Sequence, residues 1–265
     1  VVEKLEIKKT VFDLVEKHRT NGTLVTSNTS GIPIKLMNEG RSEDFKKNFA
    51  ITHFFNPPRY LNLFEVIPGP DCDKNVLDFL MDYGEKFLGK TSVLAKDTPA
   101  FIGNRIGTFG IQSLFHQVKN GEYTVEEVDK LTGTAIGRPK SATFRTADVV
   151  GLDTLCHVAN GIYENCPDDE SRNVFKLPDF LKKMLDEKML GSKTKKGFYK
   201  KVVGKDGKSK ILSLNLKTLE YNEQKKVNFE TLNAARKVKS RAEKFKVLVS
   251  GDDKASHFYR EVFAK

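Results

Sequence analysis

The chain has 265 residues, 38% of them hydrophobic and 30% charged, enough apolar content for two domains and too much for wholesale disorder. Lys and Arg number 45 against 35 Asp and Glu, a formal net charge of +10. That balance favours anionic partners, although a general richness in lysine spread over solvated faces is the better explanation. In chain order, residues 4–19 place Leu5, Val11, Phe12, Leu14 and Val15 among charges, the pattern of an amphipathic helix. Thr23–Ser27 is rich in β-formers and ends in the polar turn Ser27-Asn-Thr-Ser30. Ser42, followed by Glu43 and Asp44, starts a short helix by N-cap logic. Ile51–Phe55 is a buried strand stopped by Asn56-Pro57-Pro58, and Leu63–Ile67 a second one stopped by Pro68-Gly69-Pro70. A helix over 74–88 closes at Gly89, and Thr91–Lys96 is a further strand. This alternation is the signature of an α/β unit.

The texture then changes. Thr98-Pro99 reads as an N-cap with Pro at the first helical position, opening a long helix to about Asn120. Thr124 and Glu127 form a capping box. Pro178 opens a helix with Phe180, Leu181, Met184, Leu185 and Met189 on one face, closed by Gly191. After Gly197 the β-prone runs Val202-Val203 and Ile211-Leu212 flank Asp206-Gly207, a hairpin signal. Residues 230–265 are expected to be helical and surface-charged. The expected division is an α/β domain over 1–97, a mainly helical domain over 98–200, and an extension over 201–265.

Cys72, Cys156 and Cys166 are odd in number and lack the paired spacing of a metal site. They point to a reducing, cytoplasmic setting and to no bound metal. No apolar run approaches the roughly 20 residues that span a bilayer, and no basic-then-apolar signal segment opens the chain. Lys far outnumbers Arg and no nucleic-acid module is present, so nucleic acid is not the expected partner. The chain opens on Val1-Val2-Glu3, which reads as a strand tip running into a helix, as if a natural start lay further upstream.

Three constellations carry possible chemistry. Gly103, Gly107 and Gly110 are spaced GxxxGxxG inside a helix pattern, so close helix packing accounts for them better than a phosphate loop. No GxGxxG turn occurs anywhere in the chain. His53, ending a hydrophobic strand before a Pro-fixed turn, and Glu65, inside the apolar run of the next strand, can meet across one strand pair. A carboxylate among such neighbours is costly to bury unpaired, and a Glu-oriented imidazole is general-base architecture. A purely structural His–Glu pair remains the alternative. Ser30 and Asn104 are small hydrogen-bonding groups that can reach a substrate oxygen, or serve as turn and cap residues.

Ser27-Asn-Thr-Ser30, His53-Phe-Phe-Asn-Pro57 with Glu65, Asp97-Thr-Pro-Ala-Phe-Ile-Gly-Asn104-Arg, Val150-Gly-Leu-Asp153 and Gly191-Ser-Lys193-Thr-Lys-Lys-Gly197-Phe-Tyr199 occur in that order. Together they resemble the 3-hydroxyacyl-CoA dehydrogenase family over about residues 1–200. The tail beyond 200 is similar to that of bacterial multifunctional fatty-acid β-oxidation proteins. The resemblance implies the C-terminal part of a Rossmann-type NAD-binding domain, without its first βαβ unit, followed by an all-α dehydrogenase domain. It also implies oxidation of (S)-3-hydroxyacyl-CoA to 3-oxoacyl-CoA with NAD as cofactor. His53 then matches the catalytic base and Glu65 its partner, while Ser30 and Asn104 match the groups that hold the substrate's C3 oxygen. Glu3, Lys8, Ser30, Asn56 and Lys193 match cofactor-side positions. Lys195 and Lys196 depart from the family's usual Gly-Glu, and Lys4 from its Asn. Implied partners are the acyl-CoA substrate, a second copy through the helical domain, a fused enoyl-CoA hydratase region and a thiolase. A dehydrogenase of another β-hydroxy acid, or a non-catalytic dimerisation and assembly fragment, are the competing expectations.

Overall fold

The computed structural model describes residues 1–204 and 207–263. The described chain divides into two compact units: Val1–Gly107 with Glu164–Cys166, and Thr108–Tyr163 with the chain from Pro167 onward.

The first unit is built on a four-stranded sheet in the order β1 (Val25–Ser27), β2 (Phe49–Phe54), β3 (Leu63–Pro68), β4 (Thr91–Leu94). The β1–β2 and β3–β4 pairs are parallel, and β2–β3 is antiparallel. Successive strand residues point to opposite faces, so the odd and even positions of β2 and β3 build different cores. Phe49, Ile51 and Ile67 pack with Phe12 of α1 (Leu5–His18), Ile34 and Met37 of α2 (Ile34–Asn38) and Phe45 of α3 (Glu43–Lys47). Ala50, Phe64 and Val66 pack with Leu80 of α4 (Lys74–Lys86) on the other face. The Phe12 ring meets the edges of Phe45 and Phe49 at 5.5 and 5.4 Å between centroids, an arrangement that adds to plain apolar burial.

Ser42 caps α3, its hydroxyl accepting from the Phe45 N–H at 3.2 Å. Gly84 lets α4 approach the sheet. A Cβ there would lie 2.4 Å from Ser92 Oγ and 2.6 Å from the Phe64 ring. Gly84→Ala is therefore expected to destabilise the first unit by about 1–3 kcal/mol despite the better helix propensity of Ala. Urea titration checks this, and an unchanged midpoint contradicts it.

The second unit holds α5 (Gly103–Val118, whose first turn belongs to the first unit), α6 (Val125–Thr132), α7 (Phe144–Val150), α8 (Leu152–Asn165, whose last two residues belong to the first unit) and α9 (Asp179–Asp186). An antiparallel sheet follows, of β5 (Tyr199–Val203), β6 (Ser209–Leu214) and β7 (Tyr221–Glu223). The chain then forms α10 (Glu230–Arg236), α11 (Arg241–Ser250) and α12 (Lys254–Phe263). The α6 capping box is present in full. One core joins Phe115, Phe144, Leu181, Met184 and Phe198 to Leu248, Phe258 and Tyr259, so the chain beyond residue 200 packs into the same unit.

Several expectations need correction. The long helix does not begin at Pro99: Ala100 and Phe101 take φ of 63° and 48°, and helical geometry starts only at Gly103. The helix over 178–191 ends at Asp186, because Lys188 turns left-handed at φ 55°. Of the three glycines of α5, only Gly103 is closely approached. A Cβ there would meet the Phe55 ring at 2.5 Å, whereas Gly107 has nothing within 4 Å. The third strand, β7, was not expected, and α12 buries Phe258 and Tyr259 rather than lying wholly on the surface. The β5–β6 pairing runs from Tyr199↔Ser213 to Val203↔Ser209, while Asp206 of the expected Asp-Gly turn lies outside the described residues.

Candidate active site

The face of the sheet that carries Phe49, Ile51 and Ile67 continues, two residues on, to His53 on β2 and Glu65 on β3. The two are direct cross-strand partners. Their side chains project to the same side, in line with the apolar column. His53 Nδ1 and Glu65 Oε2 lie 2.6 Å apart, with Glu65 fully buried and His53 5% exposed. The other carboxylate oxygen, Oε1, accepts from the backbone N–H groups of Ile102 at 3.0 Å and Gly103 at 2.7 Å. Those amides stand at the start of the 16-residue α5, where the helix dipole favours negative charge. The left-handed residues Ala100 and Phe101 turn the chain so that these amides face the carboxylate.

Burial pushes the Glu65 carboxyl upward. The bonds from His53, Gly103 and Ile102 and the His53 charge more than offset this and hold it below its ordinary value. An ionised carboxylate only accepts hydrogen bonds, so His53 donates through Nδ1–H and a neutral ring leaves Nε2 as the proton acceptor. The imidazole is walled edge-on by Phe55 at 4.7 Å and Phe101 at 5.4 Å between centroids. An oriented imidazole with one free basic nitrogen is suited to taking up a proton.

The polar turn after β1 lies beside this pair. β1 runs parallel to β2 with Ser27 opposite Ile51, and Asn28 Oδ1 accepts from the Phe54 N–H at 2.8 Å. The turn is thereby fastened to the residue just after His53. Ser30, half-buried, sits between Thr29 and Gly31. The Thr29 hydroxyl donates to Glu3 Oε1, which also accepts from the Gly31 N–H at 3.3 Å. Lys8, 6% exposed, pairs with Glu3 Oε2 at 3.1 Å. Burial raises the Glu3 carboxyl, but the Thr29, Lys8 and Gly31 contacts leave it lowered.

Glu3, Lys8 and the Ser30 turn thus form one polar cluster in the first unit. Asn104, half-buried, is the second residue of α5, immediately after the Gly103 amide that binds Glu65. Asn56 is exposed just past β2, and its bond to Pro57 is cis. Lys193 belongs to the second unit, where it pairs with Asp153. The residues that sequence reasoning passed over are Asn28, Phe101 and the amides of Ile102 and Gly103.

The family model of the 3-hydroxyacyl-CoA dehydrogenase NAD-binding domain matches residues 1–98, and that of the family's C-terminal domain matches 101–201. A Bacillus subtilis protein named probable 3-hydroxyacyl-CoA dehydrogenase is 51% identical over 255 residues, covering 96% of this chain and 32% of that protein. The chain belongs to the 3-hydroxyacyl-CoA dehydrogenase family. A family relative of the same name from Deinococcus radiodurans is 46% identical over 210 residues, 79% of this chain and 59% of its own length. A Rickettsia felis chain named as a trifunctional enzyme of the fatty acid oxidation complex is 31% identical, over 88% of this chain and 32% of its own length.

Among solved structures, FadB2 of M. tuberculosis superposes with a TM-score of 0.67 at 29% identity, covering 76% of this chain and 68% of that one. An (S)-3-hydroxybutyryl-CoA dehydrogenase from Ralstonia eutropha gives 0.67 at 25% identity, covering 74% and 67%. The fold is thus a Rossmann-type α/β unit with a mainly helical family C-terminal domain. The chain spans 32% and 59% of the lengths of the B. subtilis and D. radiodurans relatives. No described helix is long and apolar enough to cross a membrane.

Proposed function

We propose that this chain carries the proton-transfer centre of an NAD-dependent oxidation of (S)-3-hydroxyacyl-CoA to 3-oxoacyl-CoA, as a step of fatty-acid β-oxidation. The observation that carries the reading is the buried 2.6 Å pair of His53 and Glu65 at one end of the sheet. In this reading His53 Nε2 takes the proton of the 3-hydroxyl as the C3 oxygen becomes a carbonyl. Glu65 stabilises the imidazolium that forms, and being held by two backbone amides it stays a carboxylate rather than accepting the proton itself. Ser30 and Asn104 hydrogen-bond the C3 oxygen and hold it while its charge changes. Bound NAD supplies the hydride acceptor.

The donor set fits one half of that cofactor. Glu3, Lys8 and the Ser30 turn offer a carboxylate, an ammonium and hydroxyls grouped at the end of β1, where open α/β sheets bind ligands. Asn56 and Lys193 are the further residues assigned to its side of the site. The pyrophosphate half has no such counterpart, since the 265 residues hold no GxGxxG turn. Calorimetric titration of NAD into the 265-residue chain is accordingly expected to show little or no binding. A micromolar Kd overturns that expectation.

The name of the Rickettsia felis relative, a trifunctional enzyme of the fatty acid oxidation complex, supports a place in a larger β-oxidation protein; a fused enoyl-CoA hydratase region and a thiolase partner are part of the proposal. Pairing of two copies through the helical domain belongs to the same proposal. A cytoplasmic setting suits the three free thiols, Cys72, Cys156 and Cys166. The division into 1–97, 98–200 and an extension over 201–265 is retained as the functional partition.

The test is NADH-dependent reduction of acetoacetyl-CoA by this chain joined behind a strand–GxGxxG–helix unit, with free acetoacetate as the competing substrate. Strong preference for the CoA ester is expected. Equal reduction of the free acid points instead to a dehydrogenase of small β-hydroxy acids.

A further inference from the structure

A concave site lies in the second unit, away from the residues that the dehydrogenase reading uses. Here α6, the turn after it and the loop at Lys140 face α10 and α11 across a cavity of about 200 Å³. One wall falls within the stretch matched by the family's C-terminal model, which ends at residue 201. The other wall comes from residues 232–244, beyond it. The floor is made of small or apolar side chains, among them buried Gly133 and Ala235.

The rim is cationic. Lys130, Lys140, Arg236 and Lys244 all line the cavity. Elsewhere on the chain lysines are often answered by carboxylates, as in Lys9–Glu39, Lys46–Glu43, Lys210–Glu223 and Lys254–Glu127. None of the four rim side chains has an ion pair or a hydrogen-bonded partner among the described residues. The one acid in the lining, Asp129, is engaged inward. It accepts from the N–H groups of Thr143, Phe144 and Arg145 and from the Tyr199 hydroxyl.

Helix electrostatics account for two of the cations and not for the others. Lys130 and Arg236 sit in the last turns of α6 and α10, where positive charge is favourable. Lys244 is the fourth residue of α11, half-buried near the positive end of that helix, where a cation is disfavoured. Lys140 lies in a loop after Pro139. Four like charges around one concavity focus a positive potential there, and an entering anion relieves their mutual repulsion.

We infer that this cavity is a binding site for a small phosphate-bearing polyanion, a diphosphate held by Lys130, Lys140, Arg236 and Lys244. Size decides against a whole nucleotide or a drug-like molecule, since pockets for such ligands run to roughly 300–1,000 Å³. Arg236 supplies a planar fork that matches two phosphate oxygens, and the lysines supply compact point charges. The site is independent of the proposed His53 chemistry.

The test is calorimetric titration of inorganic pyrophosphate into the 265-residue chain at low and at physiological salt. Saturable one-to-one binding that weakens as salt rises is expected. In Lys140→Ala/Arg236→Ala the affinity is expected to fall by about tenfold or more, with the melting temperature unchanged because both side chains are exposed. The control is Lys183→Ala/Lys217→Ala, which removes the same charge from a different hollow and should change the affinity by less than about twofold. Absence of saturable binding, or equal weakening by both double variants, overturns the site. So does binding to phosphatidylserine vesicles through Lys140 and Arg236 without pyrophosphate binding, which assigns the patch to a membrane surface instead.

Discussion

His53→Gln is expected to lower acetoacetyl-CoA reduction by about 10²–10⁴-fold, the usual contribution of a positioned general base or acid, with little change in thermal stability. The ring is the only member of the pair with a basic nitrogen turned away from the carboxylate. Its loss removes the proton acceptor while the sheet, α5 and the Glu65 amide contacts stay in place. Gln retains a side-chain N–H that can face Glu65, so the buried carboxylate is not left with the two amides of Ile102 and Gly103 alone. Steady-state kcat, measured with the glycine-rich unit supplied, separates this from a folding defect when thermal melts are run alongside. Near-normal turnover in His53→Gln removes His53 from the mechanism.

The acid limb of activity and stability follows from Glu65. Its carboxyl is held below its ordinary value in the folded chain. Its contribution is therefore complete above the unfolded value and is lost as pH falls through the folded one. Acidification below about pH 4 is expected to release His53 and the start of α5 together.

The His–Glu pair was legible in the sequence because strand periodicity is simple. Two short apolar runs joined across Pro57-Pro58 leave few registers, and the one that keeps Ile51 and Ile67 on the same face also sets His53 against Glu65. What supports the pair was not legible. Thr98-Pro99 has the local chemistry of a helix start, yet Ala100 and Phe101 adopt left-handed backbone geometry that sequence propensity argues against. That geometry places the Ile102 and Gly103 amides on a carboxylate 37 and 38 residues earlier. Backbone donors carry no side-chain signature, so only the fold reveals them. The same holds for Asn28, which reads as an ordinary turn residue until its carbonyl is seen on the Phe54 N–H. In the tail, charge density hid the buried faces of α10 and α12. In α12 Ala255, Phe258, Tyr259 and Val262 nonetheless recur at i, i+3, i+4 and i+7, the stripe of an amphipathic helix that a reading by charge alone passes over.

Gly197→Ala is expected to cost the second unit about 3 kcal/mol or more, near the upper end of single-substitution effects. A Cβ at residue 197 would lie 2.1 Å from Asp148 Oδ1 and 2.6 Å from the Gly191 Cα. Neither obstacle can yield. Asp148 is buried, and its two oxygens accept from the Phe198 and Tyr199 N–H groups at 2.8 and 2.9 Å. Gly191 is itself pinned at φ +96° against the Asp148 backbone, where its own Cβ would meet the carbonyl oxygen at 2.3 Å. Moving residue 197 outward would strip the Tyr221 hydroxyl from the Gly197 carbonyl. It would also pull the fully buried Phe198 from the Phe144 ring, 4.5 Å away between centroids. The control is Gly161→Ala within α8, where a Cβ meets nothing within 4 Å and helix propensity predicts a gain of up to about 1 kcal/mol. Urea midpoints of the two variants should therefore move in opposite directions, and a neutral Gly197→Ala refutes the close-packed turn around Asp148. The same carboxyl sets a pH signature. Burial pushes it up to about 6, so its contribution to stability is fully present below the unfolded value and fades as pH rises through about 6. Wild-type stability should decline across that window, and the decline should become shallower without vanishing in Asp148→Asn, because burial also pushes the Asp129 carboxyl of the same unit up to about 6.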